Sequence, residues 1–389
     1  MSHGNGPIRV FLVDDSPLAL VMLKRMIATS PSLEVVGTAH SGREALEQFE
    51  RTRPEVICTD YLMPDMDGLA LIQRTMEVFP RPILVISSTV DPAERHKAFP
   101  LLAAGAVDVV TKPSGAESFE QSAAELVQKI KLVSGVAVIS RRAPNAGMAK
   151  TDLAKTVFKS TDVARPPLTT PSRAAVREGD SAAKIQSDPL TPCRFPIRQN
   201  NLIRLVAVGA STGGPQVLQS IFSSLPANFA CPILCVQHIS PGFLRGLVEW
   251  LASQCRLQIK IASNGELALP GTVYFPTENT HLEVDRQGHL VTSHAPPVDG
   301  HRPSATATFE SVARCYGHSA LGVLLTGMGS DGASGLESIA RAGGTTLEQD
   351  EASSVVFGMP KQAILRGAAQ LVLTPTEITR ALIRLTPTP

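Results

Sequence analysis

The chain has 389 residues, of which 43% are hydrophobic and 18% are charged, and its formal net charge is +1. This length allows two or three globular domains with ordinary cores, while the near-zero charge gives no reason to expect a nucleic-acid partner. The apolar runs stay well short of the roughly 20 residues that a membrane helix needs, and no signal peptide is recognisable. We therefore expect a cytoplasmic protein that does not insert into membranes.

Over residues 8–133, short β-branched runs alternate with helical patterns. One helical pattern, SGREALEQFE (41–50), opens with Ser41, a residue type that caps helices. Regular alternation of strands and helices predicts a parallel sheet with helices on both faces. The predicted strands are IRVFLV (8–13), LEVVG (33–37), EVICT (55–59), ILVIS (83–87) and VDVV (107–110).

Residues 134–201 have no sustained apolar period and are rich in proline, serine, threonine and alanine. The segment carries 11 Lys and Arg against 5 Asp and Glu, whereas the flanking regions are slightly acidic. Two interpretations fit: a flexible, solvated linker, and a basic tail that binds anionic partners. The composition favours the linker.

Residues 202–387 return to alternating apolar runs and helical patterns. This alternation predicts a second α/β domain, with a mixed, mainly parallel sheet. The predicted strands are IRLVAV (203–208), PILCV (232–236), LQIKI (257–261), TVYF (272–275), HLEV (281–284), HLVT (289–292) and ALGVLL (320–325).

Acidic side chains follow strands of the first predicted sheet. Asp14 and Asp15 follow the first strand and Asp60 follows the third, and parallel sheets bind ligands at the carboxyl ends of their strands. Three carboxylates at one edge would repel one another unless a hard cation such as Mg²⁺ is bound between them. Ser87 and Lys112, at the ends of the fourth and fifth strands, suit the oxygens of a phosphoryl group, and Asp60 can attack phosphorus to form an acyl phosphate. Taken singly, each of these residues also fits a helix cap or a surface charge.

Together these residues resemble the receiver domain of two-component response regulators, over nearly all of residues 7–133. The resemblance implies a flavodoxin-like (βα)5 fold and phosphotransfer from a histidine kinase. The implied site residues are Asp60 as phosphoryl acceptor, Asp14, Asp15, Asp60 and the Leu62 carbonyl around Mg²⁺, Ser87 as the switch hydroxyl and Lys112 as the phosphoryl contact.

The stretch VAVGASTGGP (206–215) ends a predicted strand in a glycine-rich turn. A phosphate-binding loop G-x-G-x-x-G would need glycine where Ser211 stands, and no acidic residue ends the next strand. The pattern G-x-S-x-G, which lifts a serine nucleophile clear of a sheet, is met by residues 209–213. The residues favour the nucleophile, and the phosphate loop remains an alternative.

A serine nucleophile needs a base and a group that orients the base. His238, in CVQHISP (235–241), ends the strand that follows Ser211, and Asp331 follows the strand 320–325. All three side chains therefore stand at the carboxyl ends of predicted strands, where an α/β fold places its chemistry. The chain order Ser…His…Asp differs from the α/β-hydrolase order Ser…Asp…His, so we expect similar chemistry on a different fold.

A receiver followed by such a domain resembles the chemotaxis protein-glutamate methylesterases of the CheB family. The matching stretches are GASTGGP (209–215), Gln237-His238, HRPS (301–304), TGMGSDGASG (326–335) and DEASSVVFGMP (350–360). The family implies a doubly wound α/β methylesterase domain. The implied site residues are Ser211 as nucleophile, His238 as base, Asp331 as the residue that orients the base, and the backbone N–H groups of Thr212 and Met328 as oxyanion donors.

The same resemblance implies the reaction and the partners. The substrates are glutamyl methyl esters on methyl-accepting chemoreceptors, together with receptor glutamines that are deamidated, and the phosphodonor is a chemotaxis-type histidine kinase. Mg²⁺ serves phosphorylation, and ester hydrolysis needs no cofactor. We expect a monomer in which the unphosphorylated receiver covers the catalytic site and shifts on phosphorylation.

Two other classes of function remain as alternatives. In the first, residues 202–387 form a non-catalytic nucleotide-binding or docking module behind the receiver. In the second, the chain is a transcription factor, a common partner of receivers, although neither domain shows a helix-turn-helix pattern.

Three smaller features also carry predictions. Asp350-Glu351 fits either a metal-binding pair or charges in a loop. His301-Arg302 fits either a contact with substrate carboxylates or a surface position. Trp250 lies within a helical pattern and is expected in the core.

Overall fold

The structure is a computed structural model that describes residues 6–87, 98–112, 119–136, 138 and 202–386. All of them belong to one unit formed by Met1–Ser140 together with Leu190–Pro389. The predicted linker 134–201 lies almost entirely outside the described residues. No helix in the described ranges is both long and apolar enough to cross a bilayer.

The N-terminal strands form a five-stranded parallel sheet. Its strands are β1 (Ile8–Val13), β2 (Leu33–Ala39), β3 (Val56–Thr59), β4 (Ile83–Ser87) and β5 (Asp108–Thr111), and its helices are α1 (Pro17–Ile27), α2 (Gly42–Thr52), α3 (Gly68–Val78), α4 (Ala98–Ala104) and α5 (Phe119–Ser134). The strand order is β2-β1-β3-β4-β5. This is the predicted flavodoxin-like order, in which the direction of winding reverses between β1 and β3 and leaves a crevice there.

Alternate residues of β1 face opposite helix layers. Val10 and Leu12 join a buried cluster with α1 and α5, whereas Phe11 and Val13 join one with α2 and α3. Because both faces are covered, the strand is apolar at successive positions, which explains why a continuous run predicted it. Ser41 caps α2 as predicted, with its hydroxyl accepting a backbone N–H of the first turn.

The C-terminal strands form a seven-stranded sheet and a separate two-stranded hairpin. The strands are β6 (Leu205–Ala210), β7 (Ile233–Gln237), β8 (Gln258–Ile261), β9 (Thr272–Phe275), β10 (His281–Val284), β11 (Leu290–Ser293), β12 (Ala320–Leu324), β13 (Thr345–Gln349) and β14 (Leu371–Leu373). The helices are α6 (Gly214–Ser224), α7 (Leu244–Gln254), α8 (Ala305–Tyr316), α9 (Ala333–Arg341), α10 (Met359–Leu365) and α11 (Pro375–Leu385). The seven-stranded order is β14-β13-β12-β6-β7-β9-β8, so the sheet is doubly wound and its winding reverses between β6 and β12.

The pairing is mainly parallel, but it differs in detail from the predicted mixed sheet. Every described pair in the seven-stranded sheet is parallel. Antiparallel pairing joins β10 to β11 outside that sheet, because the turn between them is too short for the crossover that parallel neighbours require. Strands β13 and β14 were not predicted from the sequence.

Helix α4 and the turn that follows it contact helices α6 and α7, which pack on the seven-stranded sheet. Phe99 of α4 stacks on Trp250 of α7, with ring centroids 5.7 Å apart. The Gln216 side chain of α6 donates to the Ala106 carbonyl at 2.9 Å. Trp250, expected in the core, is therefore half-buried at this contact instead.

Candidate functional site

Three carboxylates converge where β1 and β3 end. Asp14, Asp15 and Asp60 each offer an oxygen, and these oxygens lie within 4.8 Å of one another. Lys112, which follows β5, contacts two of them: its Nζ is 2.7 Å from Asp14 Oδ2 and 2.6 Å from Asp60 Oδ2. The predicted acidic edge is therefore present, and its hard oxygen donors suit a divalent cation.

Burial and mutual contacts shift the pKa values of Asp60 and Lys112 in this pocket. It raises the pKa of Asp60 despite the opposing effect of Lys112. Burial alone would lower the pKa of Lys112, but contacts with Asp14 and Asp60 raise it above its ordinary value. Lys112 is consequently charged at neutral pH and offsets part of the repulsion among the carboxylates.

Two further predicted residues lie close to this pocket. Ser87 is buried at the end of β4, and its carbonyl accepts the Lys112 N–H at 2.8 Å. Leu62 lies two residues after Asp60 in the loop that leads to α3, with its side chain exposed. Their predicted roles require a bound cation and phosphoryl group and stay predictions.

Ser211 stands directly after β6 in a turn that requires glycine. Gly213 has a φ of +78°, a conformation that favours glycine, and a Cβ at Gly214 would overlap the Gln237 amide. Gln237 Nε2 donates to the carbonyls of Ser211 and His238, each at 2.7 Å. These bonds tie the ends of β6 and β7 together and fix Ser211 beside His238 at the carboxyl edge of the sheet.

His238 and Asp331 are in direct contact. His238 Nε2 lies 2.8 Å from Asp331 Oδ2. Among the described residues, the other ring nitrogen, Nδ1, has no hydrogen-bond partner although it is buried. An ionised Asp331 accepts the Nε2 proton, so in the neutral ring the basic lone pair is on Nδ1.

The N-terminus of α8 surrounds Asp331. Burial alone would raise the pKa of Asp331, but hydrogen bonds from His238, Ser304 and the Thr306 N–H lower it well below its ordinary value. The Ala305 N–H donates as well, at 2.7 Å, and the helix N-terminus itself favours a negative charge. Asp331 is therefore ionised across the neutral range.

Ser211 and His238 line one cavity of about 330 Å³. Thr212 and Met328, the predicted oxyanion donors, line the same cavity. Because His238 Nδ1 is unpartnered within the described part of the chain, the serine–imidazole hydrogen bond is not formed in this state. Catalytic hydrogen bonds are often long before substrate binds and tighten in the complex.

Helix α5 also lines this cavity. The residues that it contributes are Glu125, Gln128, Lys129 and Leu132. Lys129 Nζ lies 2.6 Å from Asp108 Oδ2 and 3.3 Å from the Thr212 hydroxyl, and that hydroxyl donates to Asp108 at 3.0 Å. We call Asp108, Lys129 and Thr212 the latch cluster, because it connects β5 and α5 to the residue next to Ser211. The sequence did not predict the latch roles of Asp108 and Lys129.

His301 also belongs to the cavity. Its ring stacks on the His238 ring, with centroids 4.0 Å apart and an interplanar angle of 11°. Burial, followed by the charge of His238, lowers the pKa of His301, so His301 is neutral at neutral pH. Its neighbour Arg302 instead donates to the carbonyls of His294 and Ala295 at 3.2 Å.

Asp350 belongs to a loop that braces the cavity. Its carboxylate accepts the Ser353 hydroxyl and its carbonyl accepts the Ser354 hydroxyl, which is the loop interpretation of the sequence. Further along the same loop, the Val356 carbonyl accepts the Gly327 N–H at 2.9 Å. The loop thus supports the segment that carries Met328.

Comparison with known proteins agrees with this arrangement. A family model described as CheB methylesterase matches residues 206–382, and one described as response regulator receiver domain matches residues 10–124. The protein-glutamate methylesterase/protein-glutamine glutaminase 4 of Geobacter metallireducens is 38% identical over 381 residues, which cover 97% of this chain and 99% of that protein. The chain belongs to the CheB family.

Other CheB proteins match over comparable lengths. The protein-glutamate methylesterase/protein-glutamine glutaminase of Nitrosospira multiformis is 38% identical and covers 97% of each chain. A Myxococcus xanthus relative of the same name, numbered 4, is 39% identical over 92% of this chain and 90% of that protein. The predicted resemblance is confirmed, and membership of a methylesterase family contradicts both the transcription factor and the non-catalytic nucleotide-binding or docking module.

Proposed function

We propose that this CheB-family enzyme hydrolyses glutamyl methyl esters of chemoreceptors by acyl transfer, with Ser211 as nucleophile, His238 as base and Asp331 as the residue that orients the base. One observation carries the assignment of roles. The His238 ring is held through Nε2 by an ionised carboxylate, keeps Nδ1 free, and shares a cavity with Ser211. Relatives over nearly the whole chain are named protein-glutamate methylesterase/protein-glutamine glutaminase, which supports both ester and amide substrates.

The reaction proceeds in two halves. Ser211 Oγ attacks the ester carbonyl carbon while His238 Nδ1 takes the hydroxyl proton, and the carbonyl π electrons move to oxygen. The tetrahedral intermediate collapses, and the departing methoxide takes the proton from His238 and leaves as methanol. Water then attacks the acyl-enzyme carbonyl carbon while His238 takes one of its protons. The second tetrahedral intermediate collapses as the C–Oγ bond breaks and His238 returns the proton to Ser211 Oγ, which releases the glutamyl carboxyl group and regenerates the serine. With a glutamine substrate the leaving group is ammonia, and no step needs a cofactor.

The negative oxygen of the intermediate needs donors. We assign this role to the backbone N–H groups of Thr212 and Met328, which both line the cavity. Thr212 lies just before α6, where the first N–H groups of a helix have no partner within the helix. Loss of one such donor typically slows acyl transfer by about 10²–10³-fold.

We further propose that Asp60 accepts a phosphoryl group from a chemotaxis-type histidine kinase. The proposed Mg²⁺ ligands are Asp15, Asp60 and the Leu62 carbonyl, with Asp14 beside them. Bound Mg²⁺ would neutralise charge on the transferring group. Lys112, whose Nζ contacts Asp60, and Ser87, which ends β4 at the same edge of the sheet, are the proposed contacts of the phosphoryl oxygens.

This function assigns roles along the chain. We place the receiver at residues 7–133, the joining segment at 134–201 and the methylesterase domain at 202–387. The two family-model matches fall within the first and third ranges. We place the enzyme in the cytoplasm as a monomer, where a response regulator meets its kinase.

Activity and its activation are tested together by methanol release. The purified chain should release methanol from methylated receptor membranes, and a small phosphodonor should accelerate the release. Asp60→Asn should abolish the acceleration, because an amide cannot form the acyl phosphate, and should keep the basal rate, because the amide oxygen can still accept from Lys112. Asp65→Asn, at an exposed position in the same loop, should behave like the wild type. A chain that is phosphorylated on Asp60 yet releases no methanol would contradict the proposed function.

Helix α5 explains why activation is needed. A receptor helix is about 10–12 Å across, whereas the Ser211 cavity holds about 330 Å³ and α5 forms one of its walls. Such a substrate cannot reach Ser211 while α5 stays in place. The latch cluster holds α5 there through the contacts of the Thr212 hydroxyl with Lys129 and Asp108, and the partly buried ion pair between Lys129 and Asp108 keeps these two side chains in place for that contact.

Removal of the latch should raise the basal rate. Lys129→Met keeps the apolar stem but leaves Asp108 without its cation, a loss worth roughly 1–3 kcal/mol for a partly buried charged hydrogen bond. We expect methanol release without phosphodonor to rise about 5- to 100-fold and the acceleration by phosphodonor to shrink accordingly. Lys131→Met, exposed on the same helix, is the control. An unchanged basal rate in Lys129→Met would show that the latch does not hold α5.

A further inference from the structure

The carboxylate of Asp331 is oriented mainly by the beginning of α8. Oδ1 accepts from the Ser304 hydroxyl at 2.6 Å and from the Thr306 N–H at 3.0 Å, and Oδ2 accepts the Ala305 N–H at 2.7 Å. The remaining contact of Oδ2 is His238. The position of this helix end therefore decides where Asp331 holds the base.

Ser304 caps α8 and is completely buried. Its hydroxyl accepts the Ala307 N–H at 3.2 Å and donates its own proton to Asp331. Its backbone N–H precedes the helix and needs a partner elsewhere, because a buried, unpaired N–H is costly. That partner is His281 Nδ1, at 3.2 Å.

His281 begins β10 and is 1% exposed. Its Nε2 lies 3.1 Å from the Pro296 carbonyl oxygen. A carbonyl only accepts, so Nε2 carries the proton and Nδ1 is the acceptor for the Ser304 N–H. Both ring nitrogens are therefore used, and the ring is not among the residues that line the Ser211 cavity.

We propose that His281 is a positioning residue for the acyl transfer, acting through Ser304 and Asp331 on His238. A continuous series of hydrogen bonds connects them: His281 accepts from Ser304, Ser304 donates to Asp331, and Asp331 accepts from His238. His281 touches neither substrate nor nucleophile. The inference rests on the proposed acyl transfer at Ser211, which the experiment below tests separately.

Substitutions at His281 should change turnover more than substrate affinity. His281→Leu removes both hydrogen bonds and should lower kcat for methanol release about 10- to 100-fold, because small misplacements of catalytic groups cost that much. KM should stay within about twofold, since no substrate contact is lost. His281→Asn should restore most of kcat, because its side-chain oxygen can accept the Ser304 N–H.

Two substitutions at Ser304 test the contribution of its hydroxyl to turnover while its backbone N–H stays in place. Ser304→Ala should lower kcat to a similar extent, and Ser304→Thr should restore it. The matched control is Thr374→Ala, which removes the capping box of α11 in the same domain and with it a comparable amount of helix stability. This control should keep wild-type kcat, measured with the full-length chain and saturating phosphodonor.

A spectroscopic measurement reports the positioning directly. In protein labelled with ¹⁵N-histidine, the ring N–H resonance of His238, hydrogen-bonded to Asp331, should shift in His281→Leu and Ser304→Ala and stay unchanged in Thr374→Ala. If His281→Leu fails to fold, His281→Gln decides the question by the same readouts, because its side-chain NH₂ can still donate to the Pro296 carbonyl while the acceptor for the Ser304 N–H is lost.

Each outcome has one meaning. If His281→Leu keeps the wild-type kcat while Ser211→Ala is inactive, the positioning role of His281 is wrong and the acyl transfer at Ser211 stands. An active Ser211→Ala variant overturns the acyl transfer on which the role depends. A kcat that falls equally in Thr374→Ala shows that His281 acts only through stability, and this also overturns the proposal.

Discussion

Ser211→Ala is expected to lower kcat for methanol release by about 10⁵–10⁶-fold, the largest effect that any single substitution in this chain should have. The Ser211 hydroxyl is the proposed nucleophile, and the turn after β6 holds it beside His238 in the same cavity. Without it, His238 and the oxyanion donors can at most assist direct attack by water. We therefore expect the Ser211→Ala variant to hydrolyse the ester at most about 10³-fold faster than the uncatalysed reaction.

Two controls make this result specific. Ser224→Ala changes an exposed hydroxyl on α6 and should leave kcat at the wild-type value. Phosphorylation of Asp60 in the Ser211→Ala variant should proceed at the normal rate, because the acidic pocket and the serine turn lie on different sheets. More than a few per cent of wild-type activity in Ser211→Ala would exclude Ser211 as the nucleophile.

The sequence could predict those site residues that directly follow strands. Ser211 and His238 directly follow β6 and β7, and Asp331 lies in the turn after β12. Because β12, β6 and β7 are adjacent parallel strands, residues at their carboxyl ends fall at one edge, next to the reversal of winding. The same reasoning placed Asp14 beside Asp60 at the ends of β1 and β3.

Strand β13 shows why part of the fold escaped prediction. Its sequence is TTLEQ, yet all five residues are buried. Because four of the five are polar, the strand has no apolar run by which it could be predicted. Thr346 and Gln349 satisfy their polar groups with side-chain and backbone partners that only the folded chain supplies. Glu348 has no hydrogen-bond partner for either carboxylate oxygen in the described residues, and burial raises its pKa well above the ordinary value, because burial disfavours the charged form.

Residues that contact the site residues from other elements of the fold were not predicted either. Lys129 lies inside an ordinary amphipathic helix, and His281 lies in a short strand at some distance along the chain. Neither stands in a motif at a strand end. Their contacts with Thr212 and Ser304 exist only after separate elements pack together, and periodicity carries no information about such packing.

Asp331→Asn should lower kcat by about 10⁴-fold, the second largest effect expected. Asp331 accepts four hydrogen bonds, two on each oxygen, and each oxygen receives one from a backbone N–H, of Ala305 or of Thr306. Asparagine offers only one acceptor oxygen, so its NH₂ group must face one of these N–H donors in either orientation. If the NH₂ faces His238, the ring is held with its proton on Nδ1, the nitrogen that must accept the proton of Ser211.

The dependence of kcat on pH below neutrality separates the orienting role of Asp331 from a contribution of its charge to the stability of the fold. Since the folded-state pKa of Asp331 is depressed, the stability that its charge provides is present above the unfolded carboxyl pKa of about 3.9 and is lost only as pH falls through the lower folded value. The charge of Asp331 therefore stays intact between about pH 7 and pH 5, and a loss of wild-type activity in this range does not report protonation of Asp331.

Asp331→Asn should stay low in kcat at every pH in this range, because raising the pH does not restore the tautomer. Asp299→Asn is the matched control: its carboxylate accepts the Thr306 hydroxyl at 3.0 Å beside the same helix end, and an amide oxygen can replace it. A kcat that recovers toward the wild-type value at high pH in Asp331→Asn would mean that the carboxylate only raises the basicity of the imidazole. The orienting role of Asp331 would then be wrong, even with Ser211 as nucleophile.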